Sequence, residues 1–515
     1  MREGIVLLSE NVFDSTGAEP FDGFVAIEGN EIKAVGPREA ARPFTANAGR
    51  VLDVGSKVVM PGLCDVHTFF TGWVLEGIGC DFTGISSPGE GIAALRDYAC
   101  DRPSDEPLFG HAWDAGAFPS GSELRLDEAF PSRPVVVFTS DRGTCWMNAA
   151  ARERYQFGPD ACWAEMIWRM MPDYLAMPEV QARYVDYMAM LNGRGVTSIK
   201  EMTFDDYYGF ADVMARMEDA GQMTLRVSMM SQPVGRGADI EHGKRMRDRF
   251  HGPFVTFSGY NRMTDRGVAG GLAEYVDPYD SKPGMRVAVP VEWDLIERET
   301  HEVDAAGFRY SLHCQGDGAV RHTVRLLDSC AKDAAGRLVN RHAITDLECS
   351  CPSDLDLFGS IGGICEVYPQ IQTLDAEADI ESMAIRQVGP ERFSRFWNRR
   401  RMWDAGARVC CGTDLPLLVP HIGESIYAGC GGYFDDGVAV NQANMLSVGE
   451  LLQAWTANGA YDCYSEDRLG TLEEGKTADV VVLDGDVFHT DPANVRGIGA
   501  ALTISDGRIV HDALR

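Results

Sequence analysis

The middle of the chain alternates short apolar strands with amphipathic helices. Eight segments have the apolar character of buried strands, namely Val58–His67, Val196–Lys200, Leu225–Met229, Phe254–Ser258, Tyr310–His313, His342–Asp346, Gly363–Val367 and Arg408–Asp414. Amphipathic helical segments lie between most of them, for example Val291–Ala306, Ala319–Ala335, Pro390–Ala405 and Val448–Asn458. This alternation predicts an α/β protein with a TIM-type (β/α)8 barrel, in which functional side chains lie at the C-terminal ends of the strands.

Both ends of the chain have a different character, with short strands separated by turns. Phe24–Ile27 and Ile32–Val35 flank a turn that contains Gly29, which is typical of a hairpin. Ala501–Ser505 and Arg508–His511 form a second predicted hairpin. We therefore predict a small β-sandwich domain built from residues 1–56 and 470–515, and a barrel domain over residues 57–469.

The interval between the first and second barrel strands is too long for a simple connection. A loop of this length must carry its own structure. Residues 70–195 contain Trp113, Trp146 and a Met- and Trp-rich helical stretch from Cys162 to Met190. We interpret this insertion as a cap over the barrel mouth. Trp113 and Trp146 are predicted to contact the substrate.

Composition restricts the class of partner. The chain has 515 residues, 45% hydrophobic, and a formal net charge of −30. That charge disfavours nucleic acid and anionic membrane surfaces. No apolar run is long enough to span a membrane, and the N-terminal apolar run is too short for a secretory signal. The expected protein is cytoplasmic and keeps its 14 cysteines reduced. Its expected partners are a small-molecule substrate and a second copy of itself in a homodimer.

Imidazoles, carboxylates and one lysine come at the predicted strand ends. These residues are His67, Lys200, His313, Asp346 and Asp414. A barrel brings such positions together although they are far apart in sequence. A single histidine or aspartate at a strand end is usually a hydrogen-bonded structural group, but the joint pattern suits a divalent metal that activates water.

Several motifs carry a resemblance to a known family. The segment Val59–His67 reads V-M-P-G-L-C-D-V-H and resembles P-G-(F/L)-(I/V)-D-x-H-x-H, the first-strand signature of the amidohydrolase superfamily. Further segments resemble motifs of its N-substituted formamide deformylase-like branch (amidohydrolase family 3), namely Gly110–Asp114, Asp141–Asn148, His313–Val320, Gly412–Pro416 and Gly475–Asp479. The resemblance spans nearly the whole chain and implies hydrolysis of a C–N bond in a small organic molecule.

The departures from that family pattern concern its metal ligands. The second histidine of the first strand is Phe69 here, and the strand-four lysine falls at Thr256. The strand-six histidine falls at Asp346, and a cap histidine falls at Gly143. His67, His313 and Asp414 remain at the positions where the resemblance implies metal ligands. A binuclear centre of the usual kind is therefore not expected.

Two enzymatic hypotheses follow. In the first, His67, His313, Asp346 and Asp414 hold one Zn²⁺ or Mn²⁺ ion, and Asp414 moves a proton from water to the leaving nitrogen. In the second, no metal is present, and Lys200, His313 and Asp414 transfer protons in an isomerase or lyase, with Phe69 as an apolar wall.

The predicted catalytic role of Lys200 has a structural alternative. Lys200 would be a solvated rim residue if it paired with Glu201, Asp205 or Asp206. A third hypothesis keeps the barrel as a non-catalytic ligand-binding scaffold, since fold does not determine function. The retention of His313 and Asp414 on different strands argues against that third hypothesis.

Overall fold

The computed structural model describes residues 4–140, 143–159, 163–203, 209–233 and 237–514. These residues form two compact units. The first comprises residues 4–69 and 188–203 and the described residues of 221–514. The second comprises Phe70–Tyr187 and, among the described residues, 209–220.

The chain contains twenty strands and eighteen α-helices in its described part. The strands are β1 (Ile5–Val12), β2 (Phe21–Glu28), β3 (Glu31–Pro37), β4 (Arg50–Asp53), β5 (Val58–Pro61), β6 (Leu63–Thr68), β7 (Cys80–Asp81), β8 (Leu108–Trp113), β9 (Val135–Thr139), β10 (Cys145–Met147), β11 (Val196–Met202), β12 (Arg226–Ser231), β13 (Val255–Met263), β14 (Arg309–Cys314), β15 (Ala343–Asp346), β16 (Ile364–Val367), β17 (Arg408–Cys411), β18 (Val480–Leu483), β19 (Ala500–Ser505) and β20 (Arg508–Asp512).

The α-helices follow the same order along the chain. They are α1 (Arg42–Thr45), α2 (Phe70–Val74), α3 (Pro88–Ala99), α4 (Glu123–Ala129), α5 (Ala149–Tyr155), α6 (Trp163–Ala176), α7 (Pro178–Asn192), α8 (Phe210–Asp219), α9 (Ile240–Arg249), α10 (Trp293–Ala305), α11 (Asp317–Asp328), α12 (Pro352–Ser360), α13 (Glu377–Ile380), α14 (Arg386–Phe393), α15 (Arg399–Asp404), α16 (Ile422–Gly431), α17 (Val448–Trp455) and α18 (Ala457–Asp462). No helix among these is long and apolar enough to cross a membrane.

The two ends of the chain pair in one sheet, as the sequence predicts. Its strands run in the order β20-β19-β18-β5-β1-β2-β3, with β4 beside β1. The predicted hairpins are β2–β3 and β19–β20, and β18 pairs antiparallel with β5. Apolar side chains from both ends form a common core that includes Leu7, Val59 and Val480. This pairing joins the N- and C-terminal segments into one β-domain.

The barrel sheet contains eight parallel strands in the order β6-β11-β12-β13-β14-β15-β16-β17. The predicted (β/α)8 fold is therefore confirmed. At the seam between the last and first strands, the Asp414 amide donates to the His67 carbonyl at 2.9 Å, and the Phe69 amide donates to the Leu415 carbonyl at 2.8 Å. These two hydrogen bonds bring the ends of β6 and β17 together.

One predicted strand is two strands in the structure. Val58–His67 divides at Gly62 into β5, which belongs to the β-domain, and β6, which begins the barrel. A Cβ atom at Gly62 would lie 2.1 Å from the Thr197 Oγ1 atom, so only glycine fits at this crossing. The predicted helix Pro390–Ala405 likewise divides into α14 and α15.

The second unit has a sheet of its own. Its strands run in the order β10-β9-β8-β7, and helices α3 and α4 pack against it. Its core includes Phe82, Leu95, Phe118 and Val137. The unit follows the first barrel strand in the sequence, where the insertion is predicted.

Candidate active site at the ends of the barrel strands

His67 and Asp414 face each other across the seam of the barrel. The Nε2 atom of His67 lies 3.7 Å from the Oδ1 atom of Asp414. Asp414 has a φ of +54°, and a Cβ atom at Gly412 would lie 2.9 Å from the Cβ of His67. The small residue before Thr413 therefore allows the last strand to approach the first closely. Burial raises the pKa of the Asp414 carboxyl, since its desolvation outweighs the opposing charge of His67.

Asp65 fixes the backbone of this pair, a role that the sequence analysis missed. Its carboxylate is completely buried and accepts hydrogen bonds from the Thr413 hydroxyl at 2.5 Å, the Thr413 amide at 3.1 Å and the His67 amide at 3.2 Å. Burial raises the pKa of Asp65 to about 7. The D-x-H spacing was the available signal, because an aspartate two residues before a strand-end histidine can cap that turn of backbone.

His313 and Asp346 form a second imidazole–carboxylate pair. The His313 Nε2 atom lies 2.9 Å from the Asp346 Oδ2 atom, which also accepts from the Gln315 Nε2 at 2.6 Å. Burial lowers the pKa of His313, but its hydrogen bond to Asp346 and the charges of Asp346, Asp265 and Asp414 raise it to about 9. The imidazole is therefore a cation at neutral pH.

Two further carboxyl groups were missed from the sequence. Asp265 follows β13 and accepts the backbone amides of Gln315 at 2.8 Å and Gly316 at 2.9 Å, which shapes the turn after His313. Burial raises the pKa of Asp265 to about 6. Burial and the charges of Asp346 and Asp265 raise the pKa of Glu348 to about 8. The predicted strand stopped at Ser258, whereas β13 continues to Met263, so Asp265 was not recognised as a strand-end residue.

Thr256 does not lie at the C-terminal end of its strand. It is the second residue of β13, far from Met263, where that strand finishes. The extra length comes with a shift in register between β12 and β13, at Gly259, whose φ is +143°. The position aligned with the family's strand-four lysine is therefore not a position from which a side chain could reach the strand ends.

Lys200 is enclosed inside the barrel and not on a solvated rim. Its Nζ atom lies 2.5 Å from the Glu366 Oε1 and 2.6 Å from the Asp462 Oδ2, and all three side chains are completely buried. The Arg309 guanidinium binds the same Asp462 carboxylate. Burial and the Arg309 charge lower the pKa of Lys200, but the two carboxylates raise it above its ordinary value. This arrangement favours a structural ammonium over a proton acceptor.

The sequence predicted three other acidic partners for Lys200, namely Glu201, Asp205 and Asp206. Glu201 Oε2 accepts a hydrogen bond from the Thr68 hydroxyl at 2.6 Å. Asp205 and Asp206 lie outside the described residues.

Aromatic rings flank His67 in the barrel. The ring centroids of Phe69 and Tyr368 lie 5.4 and 5.5 Å from that of the imidazole, both in edge-on orientations. The Tyr368 hydroxyl lies 3.0 Å from the Thr345 Oγ1, which in turn lies 3.3 Å from the His67 Nδ1. Phe69 is half-buried and offers no metal-ligating atom at the position of the second histidine.

Trp113 and Trp146 belong to the second unit. Trp146 is 2% exposed and packs in that unit's own core against Phe82 and Phe118. Trp113 is half-buried, and its ring centroid lies 6.4 Å from that of Trp146. Asp141 and Arg142, which begin one family-like motif, lie outside the described residues, as does Cys162.

The four predicted metal ligands form two pairs. His67 faces Asp414, whereas His313 and Asp346 are hydrogen-bonded to each other. A tetrahedral zinc site with bonds of about 2.0–2.2 Å separates neighbouring ligand atoms by about 3.4 Å. The His67–Asp414 distance of 3.7 Å is close to that separation. The spacing of His67 and Asp414 therefore fits one ion, and among the described residues no third histidine, cysteine or carboxylate group joins this pair within 4.8 Å.

A tighter cluster lies elsewhere in the barrel. Asp304, Cys330 and His342 are the group within the described chain whose potential ligand atoms all lie within 4.8 Å. The His342 Nδ1 accepts the Tyr310 amide at 3.0 Å, so its Nε2 carries the proton and donates to Asp304 at 2.9 Å. Burial also raises the pKa of the Cys330 thiol to about 12. Neither nitrogen of His342 is free, and this cluster is a structural hydrogen-bond network.

Comparison with known proteins identifies the family and agrees with the fold. The profile of the amidohydrolase family matches residues 50–511. YtcJ of Bacillus subtilis, which is assigned to the amidohydrolases, is 22% identical over 95% of this chain and 96% of its own length. The N-substituted formamide deformylase of Arthrobacter pascens is 20% identical over 99% of each chain.

Solved structures show the same fold. A metal-dependent hydrolase of Pyrococcus horikoshii has a TM-score of 0.71 at 18% identity and covers 96% of this chain and 99% of its own. The atrazine chlorohydrolase of Arthrobacter aurescens, solved with zinc, has a TM-score of 0.56 at 16% identity and covers 99% of this chain and 95% of its own. The family match covers most of the sequence, and the chain therefore belongs to the amidohydrolase family and is a hydrolase of the amidohydrolase superfamily.

Proposed function

We propose that this protein hydrolyses a C–N bond of amide type in a small organic molecule, with at most one divalent metal ion. The observation that carries the proposal is the presence of two imidazole–carboxylate pairs at the strand ends, His67 with Asp414 and His313 with Asp346. One pair can accept a proton, and the other can donate one. Amide hydrolysis requires both, because water must lose a proton and the leaving nitrogen must gain one.

Asp414 is the proposed proton carrier. Its raised pKa brings the carboxyl closer to the range in which it can both accept and release a proton near neutral pH. The hydrogen bond from its amide to the His67 carbonyl holds the backbone in position. In this proposal, Asp414 takes a proton from water and delivers it to the departing amine.

His313 is the proposed donor to the substrate carbonyl. Asp346 orients its ring, Gln315 donates a hydrogen bond to Asp346, and the His313 pKa of about 9 keeps the imidazole cationic at neutral pH. A cation aimed at a developing oxyanion stabilises the transition state more than the ground state. The half-buried ring of Phe69 would exclude water from one side of the reacting atoms.

A single Zn²⁺ or Mn²⁺ ion would be held by His67 Nε2 and Asp414 Oδ1. Such an ion supplies a Lewis acid that lowers the pKa of a water molecule. The remaining steps rely on the chain's own residues, as described above.

Metal-independent isomerase or lyase chemistry is the second candidate. One observation favours it: His313 and Asp346 are hydrogen-bonded to each other, so these atoms are not free to bind a metal ion. The sequestration of Lys200 by Glu366 and Asp462 weighs against the lysine-based version of this chemistry. The match to the amidohydrolase family and the similarity to an N-substituted formamide deformylase support hydrolysis as the first candidate.

The test is a reaction in H₂¹⁸O with a panel of small amides that begins with N-substituted formamides. Hydrolysis incorporates one ¹⁸O atom into the carboxylate product and releases an amine. An isomerase or lyase converts its substrate without that incorporation. Turnover of an amide analogue without ¹⁸O in the product would contradict the proposed function.

A further inference from the structure

A groove of about 520 Å³ lies between helices α10 and α11 and the segment 274–286. Its lining carries two histidines, two glutamates and three arginines, namely Arg286, Arg321 and Arg325. The chain as a whole has a net charge of −30, so a groove in which arginines outnumber carboxylates differs from the rest of the protein. None of its lining residues belongs to the candidate active site.

One face of α11 supplies most of the positive charge. Arg321, His322 and Arg325 follow each other at spacings that place them side by side along the helix. Like charges four residues apart repel each other and destabilise a helix. Arg286 adds a third guanidinium from outside the two helices. A bound anion would relieve the repulsion among these groups.

The two glutamates of the groove already have partners. The Trp293 indole donates to the Glu274 Oε2 at 2.8 Å, and the Glu297 Oε1 lies 2.8 Å from the His322 Nε2. The rings of Trp293 and His322 stack with their centroids 3.9 Å apart, which holds both side chains against the groove. The carboxylates are therefore engaged with rings and not with the arginines.

The guanidinium groups have few acceptors of their own. Arg321 donates through its Nε to the Asp354 Oδ2 at 3.0 Å, and this is its one side-chain hydrogen bond within the described chain. Arg286 and Arg325 are exposed, and among the residues that the structure describes their side chains make no hydrogen bond or ion pair. Donors from two separate parts of the chain thus line the groove without a protein acceptor.

The wall of the groove is fixed by backbone contacts. The Glu274 carbonyl accepts the amides of Gly318 at 2.8 Å and Ala319 at 3.2 Å, and the Val276 amide donates to the Asp317 Oδ1 at 2.9 Å. A Cβ atom at Gly318 would lie 2.8 Å from the Glu274 carbonyl oxygen, so glycine permits this close approach. The segment that carries Arg286 is therefore joined to the start of α11, as expected for a preformed ligand site.

We propose that this groove binds a phosphorylated small molecule, at a second site separate from the candidate active site. A guanidinium matches the geometry of a phosphate group and binds it through paired N–H donors. The volume of 520 Å³ exceeds that of a phosphate group and lies in the range of sites for small organic ligands. The inference does not depend on the reaction proposed for the strand-end site.

The test is a calorimetric titration of the full-length, chelator-treated protein with inorganic phosphate at constant ionic strength. We expect saturable binding of one phosphate per chain. Arg286→Gln and Arg325→Gln should each weaken it by about tenfold or more, since each removes a charge-assisted hydrogen bond. Arg298→Gln is the matched control, because Arg298 is an exposed arginine of α10 that does not line the groove. Absence of saturable binding, or an equal effect in Arg298→Gln and Arg325→Gln, would overturn the inference.

His313→Gln distinguishes the groove from the candidate active site, where an anion could also bind. Phosphate affinity should be unchanged in this variant. Loss of binding in His313→Gln, with binding retained in Arg286→Gln and Arg325→Gln, would assign the phosphate to the strand-end site and overturn the inference. Failure of every amide to react, with phosphate still bound at the groove, would contradict the proposed function alone.

Thermal unfolding provides a second measurement. A ligand that binds only the folded state raises the unfolding temperature. Phosphate should therefore raise it in the parent protein and in Arg298→Gln, and have little effect in the double variant Arg286→Gln/Arg325→Gln. Succinate at the same ionic strength tests the ligand class. An equal shift with succinate would overturn the assignment to a phosphate group.

Discussion

The Nε2 atom of His313 lies 2.9 Å from the Oδ2 atom of Asp346, so two of the four predicted metal ligands are hydrogen-bonded to each other. A metal ion at either group would have to displace that hydrogen bond and a proton. The pair is therefore better arranged to donate a proton than to coordinate an ion. This relationship and the His67–Asp414 pair determine the predictions below.

The first prediction concerns metal content. We expect at most one Zn²⁺ or Mn²⁺ ion per chain, bound more weakly than in amidohydrolases that keep both histidines of the first strand, since fewer nitrogen donors lower the affinity. Elemental analysis after gel filtration without chelator measures the content. Two tightly bound ions per chain would refute this prediction.

The second prediction concerns Asp414. Asp414→Asn keeps the side-chain volume and removes the carboxylate, so turnover should fall by about 10²-fold or more, in the range typical for loss of a general base. Thermal unfolding should change little. Asp404→Asn is the control, because Asp404 pairs with Arg400 on the surface and should leave turnover unchanged. Full activity in Asp414→Asn would remove Asp414 from the mechanism.

The third prediction concerns Phe69. Phe69→His restores the second histidine next to His67 and should tighten Zn²⁺ binding by about tenfold, or about 1.4 kcal/mol. If the protein works without metal, the same change removes an apolar wall and lowers activity even with metal supplied. Parallel assays with and without added Zn²⁺ or Mn²⁺ distinguish the two. Parent activity that survives exhaustive chelation would favour the metal-independent mechanism.

The fourth prediction concerns pH. His313 has a folded-state pKa of about 9, raised from an ordinary value of about 6.5. A histidine with a raised pKa stabilises the fold fully below about pH 6.5, and this contribution is lost as the pH rises through about 9. The loss corresponds to about 3 kcal/mol of unfolding free energy. Denaturant unfolding at pH 6 and pH 10, with an NMR titration of His313, measures it.

Asp346→Asn is the matched variant for that titration. It removes the Asp346 charge, which contributes most to the raised pKa of His313, and leaves burial, which lowers the pKa, and the charges of Asp265 and Asp414, which raise it. The titration should therefore move to lower pH, and the stability difference between pH 6 and pH 10 should shrink. A parent His313 that titrates near pH 6.5 would show that the pair is not formed in solution.

The fifth prediction concerns Lys200. Lys200→Met leaves Glu366 and Asp462 with one fewer buried cation, and breaking a buried pair in this way costs about 3–5 kcal/mol of stability. The double variant Lys200→Met/Glu366→Gln should recover part of that loss, which a double-mutant cycle quantifies. A catalytic lysine would behave differently, with lost turnover and unchanged stability.

The order of strands and helices could be predicted from the sequence because it depends on local periodicity. The alternation of apolar strands with amphipathic helices was sufficient for the barrel, and the hairpin signals at both ends were sufficient for the β-domain. Boundaries were less accurate. Val58–His67 reads as one strand because every side chain of β5 and β6 is buried. The two strands differ in their partners, since β5 pairs with β1 and β18 and β6 pairs with β11.

The candidate site shows the same division. Four residues were identified from the sequence because each lies within three residues of the C-terminal end of a strand, namely His67, His313, Asp346 and Asp414. Which of these side chains pair with each other was not predicted from the sequence. His313 and Asp346 are 33 residues apart, and Lys200 reaches Glu366 and Asp462 across 166 and 262 residues. A pattern along the chain determines which way a strand residue can point. Which groups then share a proton or an ion pair depends on the closure of the barrel, since that brings side chains from distant strands into one low-dielectric interior.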